Sequence, residues 1–237
     1  MQEARQETLV DQTLVDQTVD RLESRDVRIR PSGLPGTLNL PAAPRGFVLF
    51  AHGSGSSRFS PRNKAVAQAL NEHAIATLLF DLLTPQEEAD RTNVFDVALL
   101  ANRLVEAIRW LRDTGISDLP VGLFGASTGA AAALIAAADL PERVGAVVSR
   151  GGRPDLAGNA LERVRAPTLL IVGGNDFGVI ELNQRAFERL RAPKRLQIVA
   201  GATHLFSEPG AMEAVMALAT QWFADHLDPD SGRKQGE

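Results

Sequence analysis

The stretch Val121-Gly122-Leu123-Phe124-Gly125-Ala126-Ser127-Thr128-Gly129-Ala130 reads as a strand that breaks sharply into a turn and then a helix. Val121 to Phe124 has the apolar character of a strand covered on both faces. An alanine-rich helical run follows directly after Gly125-Ala126-Ser127-Thr128-Gly129. A serine on so tight a turn lifts its hydroxyl above the sheet, in the position of a nucleophile. Gly125, Gly129 and Ala130 remove side-chain bulk where the strand and helix backbones crowd. The helix N-terminus then aims free N–H groups at negative charge developing beside Ser127.

Similar apolar runs recur on either side of this segment. Phe47 to Ala51, Ala76 to Phe80, Ala146 to Ser149, Thr168 to Val172 and Leu196 to Ala200 all have the length and composition of strands. Helical patterns lie between them. Ser60 is a candidate N-cap, with Pro61 at the first helical position and Val66, Leu70 and His73 on one face. Val97, Leu100, Ala101, Leu104, Ile108 and Leu111 keep helical spacing up to Gly115, a helix stop. Phe187 and Leu190 mark a shorter helix, and Met212, Val215, Met216, Ala219, Trp222 and Phe223 mark a last one. Ahead of all these, Val27 to Arg30 and Thr37 to Leu40 flank a Pro31–Gly36 turn and read as an antiparallel hairpin. Repeated strand–helix alternation predicts an α/β domain with a mostly parallel central sheet and helices on both faces.

The predicted division is an N-terminal extension over 1–22, one domain over 23–230 and a polar tail over 231–237. Within the extension, Leu9-Val10-Asp11-Gln12-Thr13 is repeated as Leu14-Val15-Asp16-Gln17-Thr18. A period of five fits neither helix nor strand, so a mobile segment or loosely docked helix is expected. The chain has 237 residues, 44% of them apolar and 23% charged, with a net charge of −4. That balance suits an enzyme-like globular domain and gives no basic footprint for nucleic acid. No apolar run approaches the ~20 residues of a membrane span. Zero cysteines exclude disulfides and a thiol nucleophile. A cytoplasmic location is expected, because the first residues also lack the apolar core of a secretory signal.

A hydroxyl nucleophile needs a base, and imidazole is tuned for that near neutral pH. Of the four histidines, His73 and His226 lie on helical patterns and His52 ends a strand as a turn former. His204 sits after the strand Leu196 to Ala200 in Gly201-Ala202-Thr203-His204, on a loop at the carboxyl edge where such sheets bind ligands. It is the candidate base. The order serine, acid, histidine confines the acid to the residues between them. Asp176 alone follows a strand directly, in Ile171-Val172-Gly173-Gly174-Asn175-Asp176; the remaining reading is a turn aspartate that caps the next helix. For the oxyanion hole, Thr128 supplies the amide after the nucleophile, and Ser54 in His52-Gly53-Ser54-Gly55-Ser56-Ser57 supplies the second. Arg58, Arg150 and Arg153 fall near the same rim as candidate partners of a substrate carboxylate, or as ordinary surface ion pairs.

These segments together resemble the dienelactone-hydrolase-like branch of the α/β-hydrolases, over about residues 24 to 227. The resemblance is carried by Phe50-Ala51-His52-Gly53-Ser54-Gly55, the elbow at Ser127, the run ending at Asp176 and the loop at His204. Ser149-Arg150-Gly151-Gly152-Arg153-Pro154 is similar to a feature of relatives fused to phosphoribosyltransferase domains; no such second domain is expected in these residues. The resemblance implies an α/β-hydrolase fold, no cofactor or metal, and a triad acting on small-molecule esters or lactones through an acyl-enzyme. Dienelactone hydrolases carry a cysteine nucleophile where this chain has Ser127, which points instead to a general carboxylesterase. A non-catalytic binding module, and an acyltransferase or thioesterase on the same triad, are the alternatives. Only one short helix fits between Arg150 and Thr168, so no cap domain is expected there, and the polar loop Thr84 to Asn93 is a candidate flap. The sequence does not specify an oligomeric state.

Overall fold

The computed structural model describes residues 22–114, 116 and 118–227. The repeated pentapeptide, the helix stop Gly115 and the polar tail lie outside the described residues.

Eight strands form one sheet: β1 (Glu23–Ile29), β2 (Leu34–Leu40), β3 (Gly46–Ala51), β4 (Ile75–Phe80), β5 (Val121–Ala126), β6 (Val144–Arg150), β7 (Thr168–Gly173) and β8 (Lys194–Val199). Their spatial order is β1-β2-β4-β3-β5-β6-β7-β8. The β1–β2 hairpin joins β4 antiparallel, and every other pair is parallel. The hairpin turn is tighter than expected, because β2 begins at Leu34, inside the predicted Pro31–Gly36 turn.

Strand alternation divides the core between two helical layers. Phe47, Leu49 and Ala51 face one layer, while Val48 and Phe50 face the other. On the first side lie α4 (Val97–Leu111), α5 (Thr128–Asp139), a kinked 3-10 segment (Pro154–Arg163) and α6 (Phe177–Arg189). On the second, α1 (Pro61–Glu72) packs beside α7 (Ala211–His226). Phe223 of α7 fixes its distance from the sheet through Gly122, where an added Cβ would lie 2.6 Å from the Phe223 ring. Two short helices, α2 (Pro85–Glu88) and α3 (Arg91–Phe95), occupy the predicted flap.

Two helical expectations are corrected. His73 does not continue the buried helix face of Val66 and Leu70: α1 ends at Glu72, His73 is exposed, and its ring folds back onto the Ala69 carbonyl at 2.8 Å. The helix carrying Phe187 is not short; it runs for 13 residues and starts immediately after Asp176. Leu190 ends it and is buried.

The strand order reverses around β3: the chain runs outward to β4 from one side of it and returns to β5 on the other. The carboxyl ends of β3 and β5 therefore form the switch point, the edge at which such sheets bind ligands. The nucleophile candidate sits there.

Phe223 is fully buried against β5. Phe223→Ala is expected to cost about 3–5 kcal/mol by leaving a cavity, visible as a lower urea midpoint at unchanged slope. A shift near zero would mean that α7 does not hold the sheet in this way.

Candidate active site

Ser127 occupies the first position past β5 with φ 52° and ψ −122°, a region that side chains rarely enter. Its conformation is fixed from several sides. Its N–H donates to the Arg150 carbonyl at 3.4 Å, and its carbonyl accepts from Arg153 N–H at 3.0 Å. The glycines around it are required by contact. A Cβ on Gly129 would fall 2.2 Å from the Ala51 carbonyl oxygen, and one on Gly125 2.4 Å from Ala130 Cα. A Cβ on Gly53 would sit 2.9 Å from Ser127 Cβ, so the β3 loop lies directly against the elbow. Although Ser127 is placed as the N-cap of α5, its hydroxyl makes no capping bond.

Asp176 stands at the N-cap of α6, yet its side chain also makes no capping bond. Its carboxylate instead meets His204 Nδ1 at 2.6 Å. The aspartate is largely buried and the imidazole is 40% exposed, so the pair joins the interior to the open rim. The two loops are tied together by backbone and side chain. Asn175 N–H donates to the Ala202 carbonyl at 2.9 Å, and Asn175 Nδ2 to the Gly201 carbonyl at 2.9 Å. Thr203 adds a second brace, its hydroxyl donating to Glu208 at 2.6 Å and its N–H at 3.1 Å. Those bonds hold the Glu208 carboxyl below the usual range.

Gly151 links this pair to the elbow. It follows Arg150, whose carbonyl receives the Ser127 N–H, and a Cβ on it would lie 3.1 Å from the His204 carbonyl oxygen and 3.6 Å from Nδ1. Gly151 takes a φ of 51° there. Ser127, His204 and Asp176 thus gather at one rim. Among the described residues, neither the Ser127 hydroxyl nor His204 Nε2 makes a hydrogen bond, whereas His204 Nδ1 is engaged by Asp176. Serine–histidine contacts commonly tighten only when substrate is bound.

Thr128 is buried, and its hydroxyl accepts the Ser54 N–H at 3.0 Å. The two residues expected around an oxyanion therefore touch each other. Of the three arginines, two have internal carboxylate partners: Arg58 pairs with Asp81, and Arg153 holds Asp155 through Nε and Nη2 at 2.9 and 2.8 Å. Arg150 is buried beside Asn63 and over the Phe206 ring, and has no carboxylate partner among the described residues. Burial, reinforced by Arg62, pushes its guanidinium down to about 10.

His52 has a role that strand-end position alone did not reveal. Its Nε2 accepts the Leu82 N–H at 3.1 Å, so the proton must reside on Nδ1, which lies 3.0 Å from the Gly53 carbonyl. The neutral ring clamps the β3 loop to the start of the flap. His226 stacks on Trp222 with centroids 4.3 Å apart and serves packing.

A family model described as an alpha/beta hydrolase domain matches residues 44–225. The chain belongs to the α/β-hydrolases, and within them it is dienelactone-hydrolase-like. A dienelactone hydrolase from Anabaena variabilis is 54% identical and superposes with a TM-score of 0.83, covering 87% of this chain and 98% of that one. An esterase domain from Rhodothermus marinus is 22% identical with a TM-score of 0.68, covering 87% and 99%, a likeness of fold. Two Mycobacterium tuberculosis proteins named as phosphoribosyl transferases are each 58% identical over 208 residues, 87% of this chain and 47% of theirs. The chain spans about half the length of these curated relatives. Among the described residues, no helix is long and apolar enough to cross a membrane.

Burial outweighs the nearby Asp81 and Glu88 charges and pushes the His52 imidazole below its ordinary 6.5. Between the two values the unfolded chain binds a proton that the folded one refuses. This contribution to stability is therefore complete above pH 6.5 and is lost as pH falls below it. Urea denaturation is expected to show a larger loss on acidification from about pH 7 to about pH 5 for the parent than for His52→Gln. Parallel losses would contradict the clamp.

Proposed function

We propose that the chain is a serine carboxylesterase working through an acyl-enzyme. The observation that carries this is the 2.6 Å contact of the Asp176 carboxylate with His204 Nδ1, in preference to a helix cap, at the rim that holds the strained Ser127. With Nδ1–H engaged, His204 presents Nε2 as an acceptor. The hydroxyl of Ser127 attacks the ester carbonyl carbon while its proton passes to His204. The resulting imidazolium, stabilised by Asp176, returns that proton to the departing alcohol oxygen as the ester C–O bond breaks. Water then repeats the sequence on the acyl-serine, releasing the acid and restoring the enzyme.

The oxyanion is held by Thr128 N–H and by the Thr128 hydroxyl. That hydroxyl accepts the Ser54 N–H and so keeps its own proton free to donate. Ser54 acts through this relay. Arg58 and Arg153 have no substrate role in this reading, since their charges are matched internally. The 40% exposure of His204 leaves the base open to solvent water in the second step. The transferase name of the M. tuberculosis relatives belongs, in this reading, to the half of those proteins that this chain does not span.

Hydrolysis of p-nitrophenyl butanoate is expected, falling at least about a thousandfold in Ser127→Ala and in a normally folded Asp176→Asn. Turnover equal to the parent in Ser127→Ala would overturn the mechanism; undiminished turnover in Asp176→Asn would reassign the acid. For the relay, Thr128→Val is expected to lower kcat about a hundredfold with KM little changed, and Thr128→Ser to restore most of it. Equal kcat in the valine and serine variants would show that the hydroxyl is not a donor.

A further inference from the structure

A cavity of about 180 Å³ opens beside the elbow on the β3–β4 side, with Gly53 and Ser54 in its wall. Gly53 is also the residue pressed against Ser127, and Ser54 N–H donates to the Thr128 hydroxyl, so the loop that walls the cavity is the one that lies against the elbow. Leu83, Val94 and Leu100 make its far end apolar, and Glu88 lies at its edge. The roof is built from the α2–α3 flap and is tied down. Arg103 pairs with both Glu87 of the flap and Glu106 of α4, and Asn93 Nδ2 donates to the Glu87 carbonyl at 2.9 Å. An open cleft would not discriminate length; a pinned roof sets a limit.

Sheet order decides which part of the substrate enters. His204 and Asp176 follow β8 and β7, on one side of β5, whereas the cavity belongs to the loops after β3 and β4, on the other. The alcohol oxygen must lie next to His204 to receive its proton. With the carbonyl oxygen directed at Thr128, the acyl chain points away from His204, toward the cavity.

We propose that this cavity is the acyl site and that it selects short, uncharged acyl chains of up to about six heavy atoms; the inference rests on Ser127 being the nucleophile. The size follows by comparison with an apolar cavity of about 150 Å³, which takes one benzene of six heavy atoms. The charge preference follows from the wall. Arg58 is matched by Asp81, and Glu88 adds a carboxylate with no ion-pair partner among the described residues, so the lining carries a net negative charge. A carboxylate at the end of the acyl chain is repelled.

The test is kcat/KM over p-nitrophenyl esters from acetate to decanoate, with mono-p-nitrophenyl glutarate compared against the pentanoate. The expected maximum lies at about four to six carbons, with the octanoate about tenfold lower or more. Val94→Ala is expected to raise the octanoate-to-butanoate ratio, and Val94→Phe to lower the hexanoate-to-acetate ratio. The glutarate half-ester is expected to be about tenfold poorer than the pentanoate, with the gap narrowing in Glu88→Gln. Chain-length ratios that stay fixed in both Val94 variants, with turnover intact, would overturn the acyl site and leave the esterase reading standing. Equal rates for the half-ester and the pentanoate would overturn the charge preference. Failure to hydrolyse any ester, together with no labelling of Ser127 by a fluorophosphonate, would remove the esterase reading and the acyl site with it.

Discussion

The molecule depends on one close approach: the turn between β5 and α5 is pressed against the end of β3 with no space for a side chain between them. Gly129 meets the Ala51 carbonyl, Gly125 meets Ala130, and Gly53 meets Ser127 itself. Crowding of this kind leaves the serine few conformations, and the one it adopts is strained. The strain is held by bonds from Arg150 and Arg153 at the end of β6, so the elbow is braced by its neighbours rather than by its own propensity. A nucleophile fixed in this way reaches the reacting carbon without first losing side-chain and backbone freedom.

The proposed acid and base are held by the same kind of economy. Asp176 gives up the cap of α6 to reach His204, and the loops that carry the two residues are joined through Asn175 and Gly201. Gly173, where an added Cβ would lie 2.5 Å from the Ala202 carbonyl oxygen, lets those loops approach. The two halves of the site meet at Gly151. On the opposite side of Ser127, the neutral His52 ring and the pinned flap shape the proposed acyl cavity. The result is an asymmetric cleft, closed toward β3 and β4 and open toward His204.

Much of this is legible in the residues. Continuous apolar runs mark the buried strands because both faces of such a sheet are covered. The elbow is legible because its chemistry demands small residues at fixed places. His204 and Asp176 emerge once helical patterns account for the competing histidines and acids, and the structure sets the two side by side. Long-range pairings were not legible. Nothing local ties Glu208 to Thr203, Arg58 to Asp81 or His52 Nε2 to Leu82; each depends on how separate loops converge. His73 was misplaced for a related reason: α1 stops one residue short of it, and a periodic pattern does not record where a helix ends. The bond from Asn175 to Gly201 is equally illegible, since it exists only once the β7 and β8 loops are adjacent.

The central claim is that the hydroxyl of Ser127 becomes covalently acylated with help from His204. Its most direct test is acid quenching within the first turnover of a p-nitrophenyl ester, followed by mass spectrometry of the digested protein. The account predicts an acyl mass on the peptide containing Ser127 that persists on dilution into fresh buffer for longer in Asp176→Asn than in the parent. An acyl group found on a different residue, or rapid product release with no acylated peptide at any time, would contradict it.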